Sequence, residues 1–312
     1  MATGALAAGI DVGGTKYLGV VLDGEGAVVR EERWPTPRGG DAIVEALAEL
    51  AEALQPWDTL GIGIAGLVTR GGVLRAAPNL SGVRELRVGE RLSAAVGRTV
   101  SVDNDATCAA AAEWLHGAAR GTRDAVLVTL GTGIGGGQVI DGRLHRGANG
   151  FAGEPGHMVV DPLGPPCVCG RRGCWERFAS GTGLARLARD FAEGGRLERV
   201  VDLAGGDPED VRGEHVLAAA REGDLDARQV VDDFAWWVAL GLVNLTNLLD
   251  PEVLVVGGGL AEAADLWLDP VRRHFGQLLY APELRPHPRV EVAELGERAG
   301  AIGAALLGTG RF

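Results

Sequence analysis

One short stretch of the chain has the makings of a metal site: His157, Cys167, Cys169 and Cys174. An imidazole and three thiolates form a Cys₃His set, which suits tetrahedral structural zinc. Pro165, Pro166, Gly170 and Gly173 are turn formers that would let the loop wrap a single ion. With every coordination position taken by protein, such a zinc would shape the loop and would not activate water. The bland alternative is a loop of free thiols, and the tightness of the cluster argues against it. Cys108 lies far from the cluster, in an alanine-rich stretch, and reads as a core thiol.

Two glycine-rich turns point to phosphate. Asp11-Val12-Gly13-Gly14-Thr15-Lys16 joins the end of one apolar run to the start of the next. Glycines let the backbone come close to a phosphate, and exposed N–H groups can bind it. Asp11 could hold a phosphate-bound Mg²⁺. Taken alone, Gly-Gly is equally an ordinary hairpin turn. The second turn, Gly131-Thr132-Gly133 within a glycine run to Gly137, follows another apolar run in the same way. Two such turns in matching positions make opposing jaws for a polyphosphate a better reading than two hairpins. Gly257-Gly258-Gly259, after a late apolar run, is a third place where backbone could meet a nucleotide.

Asp103-Asn104-Asp105 lies between a strand-like and a helix-like segment. One Asp or Asn there would be a helix cap. Three in a row offer more: a carboxylate at a strand end can take the proton of a hydroxyl that attacks a terminal phosphate.

The elements that must position these groups follow from periodicity. Leu6–Asp11, Leu18–Leu22 and Ala27–Arg33 read as strands separated by Gly13-Gly14 and Asp23-Gly24. Asp41–Leu54 carries apolar residues at Ile43, Leu47, Leu50 and Leu54, a helical spacing, with Asp41 placed as its cap. Leu60–Ala65 and Thr99–Val102 read as strands and Ala106–Leu115 as a helix. The order then restarts with strands at Ala125–Leu130 and near Gly137–Ile140, which suggests a duplicated architecture. A long helix over Ala227–Leu249 precedes a buried-type strand at Val253–Val256. The expected lobes are residues 1–117, onto which a final helix at 299–312 folds back, and residues 118–298, which carry the zinc loop.

Composition sets the bounds. The chain has 312 residues, of which 46% are hydrophobic, enough for a sizeable core. Its 30 basic and 42 acidic residues give 30 − 42 = −12, which argues against a broad nucleic-acid surface. No apolar run is long enough to span a bilayer, and the first residues lack the basic n-region of a signal peptide. A cytoplasmic protein is expected, and in a reducing cytosol clustered cysteines favour a metal over disulfides.

These four signals, in this order, resemble the ROK family of bacterial sugar kinases, repressors and open reading frames, over essentially the whole chain. The segment Cys-Val-Cys-Gly-Arg-Arg-Gly-Cys-Trp-Glu, followed by Phe178-Ala179-Ser180-Gly181, is most similar to the zinc-containing, ATP-dependent glucokinases of actinobacteria within it. The resemblance implies an actin-like, ribonuclease-H-like duplicated α/β fold of two lobes with a cleft between them. It implies transfer of the γ-phosphoryl group of ATP to the 6-hydroxyl of glucose, with Mg²⁺. By resemblance Asp105 is the catalytic base, and Asn104, Glu154, His157, Glu176, Gly66 and Asn79 are sugar ligands along with it. His157, Cys167, Cys169 and Cys174 match the zinc ligands, so that the histidine would serve both metal and sugar. Asp11, Gly13, Gly14, Thr15, Lys16, Thr132 and Gly133 fall in the Mg²⁺- and phosphate-binding segments, and Gly257 and Gly258 in the nucleotide loop. Gln138 departs from the pattern, standing where the family usually has an apolar residue. The rivals are kinases for mannose, fructose, allose, N-acetylmannosamine or N-acetylglucosamine. A repressor would need an added N-terminal DNA-binding domain, for which Asp11 leaves no room. A non-catalytic sugar-sensing protein is the other class. The family habit of dimers or tetramers makes a homodimer the expectation.

Overall fold

The computed structural model describes residues 4–77, 80 and 82–310. Contacts divide the chain into two compact units. The first runs to Leu127, takes back Gly136–Gly153, and closes with the segment from Ala293 onward; the second holds Val128–Gly135 and Glu154–Val292. A single cut near residue 117 does not capture this, because the chain crosses from one unit to the other inside two neighbouring strands.

In the first unit, β1 (Ala7–Val12), β2 (Lys16–Leu22), β3 (Val28–Pro35), α1 (Gly40–Ala53) and β4 (Thr59–Ile64) come first. A small antiparallel sheet of β5 (Leu67–Val68), β6 (Leu74–Ala76) and β7 (Arg84–Leu86) follows. Then come α2 (Val88–Val96), β8 (Val100–Asn104) and α3 (Asp105–His116). The main sheet has the order β3-β2-β1-β4-β8. Its hairpin strands are antiparallel, whereas β1–β4 and β4–β8 are parallel.

The period of two sorts the side chains of this sheet onto two faces. Ala8, Ile10 and Val12 join Ile43, Leu47 and Leu50 of α1 in one core cluster. Ala7, Leu18, Val20 and Leu22 join a second cluster with Ala301, Ile302 and Ala305 of the last helix. Fully burying each Leu or Ile contributes about 1.5–3 kcal/mol. The expected helix at 41–54 is present, but its cap differs. Gly39 is the N-cap, and Asp41 sits in the first turn, exposed and paired with Arg91. An acidic residue there still favours the helix through the dipole.

The chain continues through β9 (Ala125–Leu130), β10 (Ile134–Ile140) and β11 (Arg143–Leu144). Of the glycine run, only Gly131–Gly133 is turn; Gly135–Gly137 already belong to β10. The reason at Gly137 is steric: a Cβ there would lie 2.4 Å from the Cβ of Ala110 on α3. Gln138 is half-buried in the same strand, and its carbonyl accepts the N–H of His145.

The second unit adds α4 (Glu176–Ala179), α5 (Gly181–Glu193), α6 (Glu198–Leu203), α7 (Gly213–Glu222), α8 (Leu225–Leu249), β12 (Val253–Gly257), α9 (Ala264–Leu278) and β13 (Arg289–Val292). The second sheet has the order β11-β10-β9-β12-β13. Val253–Val256 is wholly buried, as a continuous apolar run predicts. The last helix, α10 (Ala299–Gly308), packs in the first unit against β1, β4 and α3. Among the described residues no helix is long and apolar enough to cross a membrane.

Glycines make that last packing possible. A Cβ on Gly61 of β4 would sit 1.8 Å from the carbonyl oxygen of Ala304, and one on Gly9 of β1 2.1 Å from that of Ala301. Gly61→Ala should therefore force strand and helix apart, costing about 1–3 kcal/mol or more. The expected result is a melting temperature lower by several degrees. Gly276→Ala on α9, where a Cβ meets nothing within 4 Å, should be neutral or slightly stabilising. Thermal unfolding followed by circular dichroism compares the two directly.

Candidate active site and metal centre

In the first unit, the turn between β1 and β2 is drawn tight by the Gly13 N–H, which donates to Lys16 O at 3.0 Å. Thr36 Oγ1 donates to Gly13 O at 2.7 Å and Thr36 N–H to Thr15 O at 3.1 Å, so the turn is braced from β3's end. Lys16 points its ammonium to Glu297 Oε2, 2.7 Å away, and both side chains are about half exposed. Asp11 is different. Its Oδ1 is buried with no hydrogen-bond partner among the described residues. Burial, and next the charge of Asp105, push its carboxyl up to about 7. A Cβ on Gly300, at the start of α10, would lie 2.7 Å from the carboxyl carbon, so only glycine admits Asp11 here. A buried acceptor with an unmet need is what a cation ligand looks like, so Asp11 fits Mg²⁺.

Asn104 ends β8 and caps α3: its Oδ1 accepts the Thr107 N–H at 3.0 Å. Its Nδ2 donates to Gly66 O at 3.2 Å. Gly66 has φ of 126°, and a Cβ there would meet Ala76 O at 2.3 Å, so this turn requires glycine. Asp105 opens α3, and burial raises its carboxyl above the usual range. The structure thus brings together Gly66, Asn104 and Asp105. Asn79 lies outside the described residues. Cys108 is fully buried on α3, and burial holds its thiol well above its ordinary value.

In the second unit, the Gly131–Gly133 turn is fixed by α5. Gly181 N–H donates to Gly131 O at 2.8 Å, and Thr182 Oγ1 donates to Thr132 O at 3.0 Å. Ser180 caps α5 through the Gly183 N–H. The positive end of a thirteen-residue helix therefore stands at the glycine turn, where an anion is favoured. The role of Thr182 in holding Thr132 was not legible in the sequence, because the partners are 50 residues apart. Gly258 has φ of 84°, and a Cβ there would meet the backbone of Leu130 at 2.5 Å. Its glycine is thus required by packing against the end of β9.

Glu154 precedes the short turn Pro155–His157, and its carbonyl accepts the His157 N–H. Beyond it the thiol loop is built by backbone bonds: Val160 N–H to Gly173 O at 2.9 Å, Gly173 N–H to Pro165 O at 2.9 Å and Cys167 N–H to Arg171 O at 2.8 Å. Trp175 anchors the loop. It is fully buried, donates its indole N–H to Trp237 O at 2.7 Å, and lies on Gly241 of α8, where a Cβ would strike the ring at 1.9 Å.

The ligand atoms of His157, Cys167, Cys169 and Cys174 all lie within 4.8 Å of one another. Cys169 Sγ is 3.6 Å from Cys174 Sγ, and His157 Nδ1 is 3.9 Å from Cys167 Sγ. Sulfur ligands about 2.3 Å from one tetrahedral ion would stand about 3.8 Å apart. The four residues are therefore compatible with one such ion. Glu176 borders the cluster: its Oε1 is 3.0 Å from Cys167 Sγ and 3.7 Å from His157 Nδ1. Its Oε2 lies against Gly133, where a Cβ would come within 2.7 Å. One carboxylate thus touches both the thiol cluster and the glycine turn.

Two α/β units, with strand–glycine turn–strand motifs at β1–β2 and β9–β10, define a two-lobe sugar kinase fold. The ROK family model matches residues 7–310, and the chain belongs to the ROK family. It is 40% identical over 308 residues to a glucokinase of Streptomyces coelicolor, covering 97% of each chain. It is 36% identical over 307 residues to an N-acetylmannosamine kinase of Salmonella typhi, covering 96% of this chain and 97% of that one. Among solved structures, a ROK family glucokinase from Streptomyces griseus in complex with glucose and AMPPNP superposes with a TM-score of 0.88 at 38% identity. That match covers 98% of this chain and 100% of the other.

Proposed function

We propose that this protein is an ATP-dependent glucokinase, which transfers the γ-phosphoryl group of ATP to the 6-hydroxyl of glucose. The observation that carries the reading is the half-buried Asp105, opening α3 directly after Asn104, which is itself tied to Gly66 O. Relatives named glucokinase, and a glucokinase solved with glucose and an ATP analogue, support the same reading. The repressor reading has no comparable support in the site.

In this reading Asp105 takes the proton of the attacking hydroxyl. Its burial raises its proton affinity, which suits a base that must accept a proton during the reaction. Asn104, Gly66, Asn79, Glu154, His157 and Glu176 are the sugar ligands. The Gly13–Lys16 and Gly131–Gly133 turns, with Gly257 and Gly258, are the phosphate and nucleotide segments. Lys16 would exchange Glu297 for a phosphate oxygen, a surface pair of this kind being worth only about 0–1 kcal/mol. Asp11 holds Mg²⁺, which arrives with ATP and supplies neutralisation of phosphate charge. Zinc held by His157, Cys167, Cys169 and Cys174 is structural; His157 Nδ1 faces the thiols, which leaves Nε2 for a sugar hydroxyl. The protein works in the cytoplasm. A homodimer is the proposed assembly.

Asp105→Asn keeps the shape of the side chain but cannot take the proton. It should lower kcat by about 10²–10⁴-fold or more while glucose binding persists. Near-normal turnover in the folded variant would remove Asp105 from the mechanism. In the parent enzyme the acid limb of kcat should lie above the ordinary carboxylate range, with activity lost as pH falls through the raised value. Stability runs the opposite way. The folded state holds this proton more tightly than the unfolded chain, so the stabilising contribution is full below the unfolded pKa and is lost as pH rises through the folded one. Asp105→Asn should therefore be at least as stable as the parent at neutral pH.

Elemental analysis should find one zinc per chain. Cys174→Ser should lose it and Cys108→Ser should keep it; a fully active, metal-free parent would contradict the assignment.

Sugar choice is tested by kcat/KM for glucose, mannose, fructose, N-acetylglucosamine and N-acetylmannosamine under the same ATP and Mg²⁺. Glucose should lead, with mannose weaker because its 2-hydroxyl points differently. A site built to hydrogen-bond hydroxyls discriminates by up to about 10⁴-fold when its groups are left unpaired. An N-acetyl sugar ahead of glucose by tenfold would leave a sugar kinase of other specificity.

A further inference from the structure

Asp103 has no part in the chemistry above, yet both of its carboxylate oxygens are held. Its Oδ1 accepts the backbone N–H of Asn104 at 2.9 Å. Its Oδ2 accepts from Nε of Arg146 at 2.5 Å. The side chains are only 18% (Arg146) and 13% (Asp103) exposed, so this pair is not one of the solvent-screened surface bridges. Arg146 comes from the segment after β11, 43 residues away in sequence.

The pair sits at the head of a relay of hydrogen bonds. Arg146 fixes Asp103, and Asp103 fixes the backbone of Asn104. Asn104 in turn caps α3 through Thr107 and holds Gly66 O through its amide. Asp105 is the next residue along. Both Asp103 oxygens are thereby engaged, which leaves the carboxylate one orientation. Without Arg146, Asp103 would be a partly buried charge in the neighbourhood of Asp11 and Asp105. It would turn away, and the Asn104 N–H would lose its acceptor.

The surroundings of the pair bear on how that loss could be repaired. Asp103, Arg146, Ser101 and Thr69 line a cavity of about 400 Å³. A guanidinium side chain removed here leaves a space that joins this cavity, so a small cation can enter and take its place.

We propose that Arg146 is a positioning residue for phosphoryl transfer: by pinning Asp103 it sets Asn104 and Asp105 in register with the attacking hydroxyl. This rests on the reading of Asp105 as the base. A displacement of about 1 Å in a catalytic group can cost about 10²-fold.

Arg146→Ala should lower kcat by about 10–100-fold with KM for ATP unchanged, because the phosphate turns lie elsewhere. Arg146→Lys, which keeps the charge but not the planar guanidinium, should fall between. Millimolar guanidinium chloride should restore at least part of the lost kcat of Arg146→Ala, while ammonium and sodium chloride at equal concentration should not. Should Arg146→Ala fail to fold, Asp103→Asn gives the same test. It keeps an acceptor for Asn104 and removes the ion pair, and kcat should fall with KM for ATP unchanged. The proposal is overturned if Arg146→Ala or Asp103→Asn retains kcat within twofold of the parent. It is also overturned if folded Arg146→Ala loses activity that guanidinium does not restore. Asp105→Asn separates the two readings. If that variant stays active, the base assignment fails; if it is dead while Arg146→Ala is normal, only the positioning role of Arg146 fails.

Discussion

The first unit depends on how closely one helix lies on its sheet. The backbone of α10 reaches β1 at Gly9 and β4 at Gly61, distances that no side chain could survive. The same helix meets α3 at Gly303, where a Cβ would lie 1.7 Å from Cys108 O. Gly300 completes the series by admitting the carboxylate of Asp11. Small residues along α10 thus fix the separation of β1 and α3, which carry Asp11 and Asp105, and of β4, which leads into the turn at Gly66. A core of larger side chains would bury more apolar area and hold these groups further apart. Close approach is favoured here over the larger hydrophobic gain.

The second unit solves a related problem with a loop. A segment rich in glycine and proline has little tendency to hold one shape, since its conformational entropy is high. Two things restrain it, the backbone bonds between Val160, Gly173 and Pro165 and the burial of Trp175 against Gly241, and four side chains that could hold a metal converge on it. Glu176 follows Trp175 directly and opens α4. Its two oxygens face different neighbours, Cys167 and Gly133, so the state of the thiol cluster and the shape of the glycine turn act on the same group.

Much of this was legible because the relevant signals are local. The glycine turns, the Cys₃His set and the Asp103–Asp105 run all lie within short windows whose residue types have few other uses. The strands around them followed from period and from turn residues. What escaped were the partners at long range. Arg146 is an unremarkable arginine in sequence, and nothing nearby points to Asp103. Thr182 carries no sign that it faces Thr132, and Gly300 none that it faces Asp11. Asp41 misled for the opposite reason: Asp is a common cap, but Gly39 took that place and Asp41 moved into the first turn. The extent of the second glycine turn was overread because Gly135–Gly137 lie in β10, where Gly137 meets α3. In each case a glycine's or a charge's reason lay in an element that only the tertiary fold supplies.

Oδ1 of Asp11, buried and without a hydrogen-bond partner among the described residues, carries a cost for the fold. A buried acceptor without a donor takes away from the stability of the fold, typically by about 1–3 kcal/mol. Whatever satisfies it binds the folded chain and not the unfolded one, and so returns that stability by mass action. The resting protein is therefore its own least durable form. Its resistance to unfolding and to proteolysis would rise and fall with the supply of the nucleotide it consumes and of the cation that accompanies it, which ties the lifetime of the molecule to the energy state of the cell.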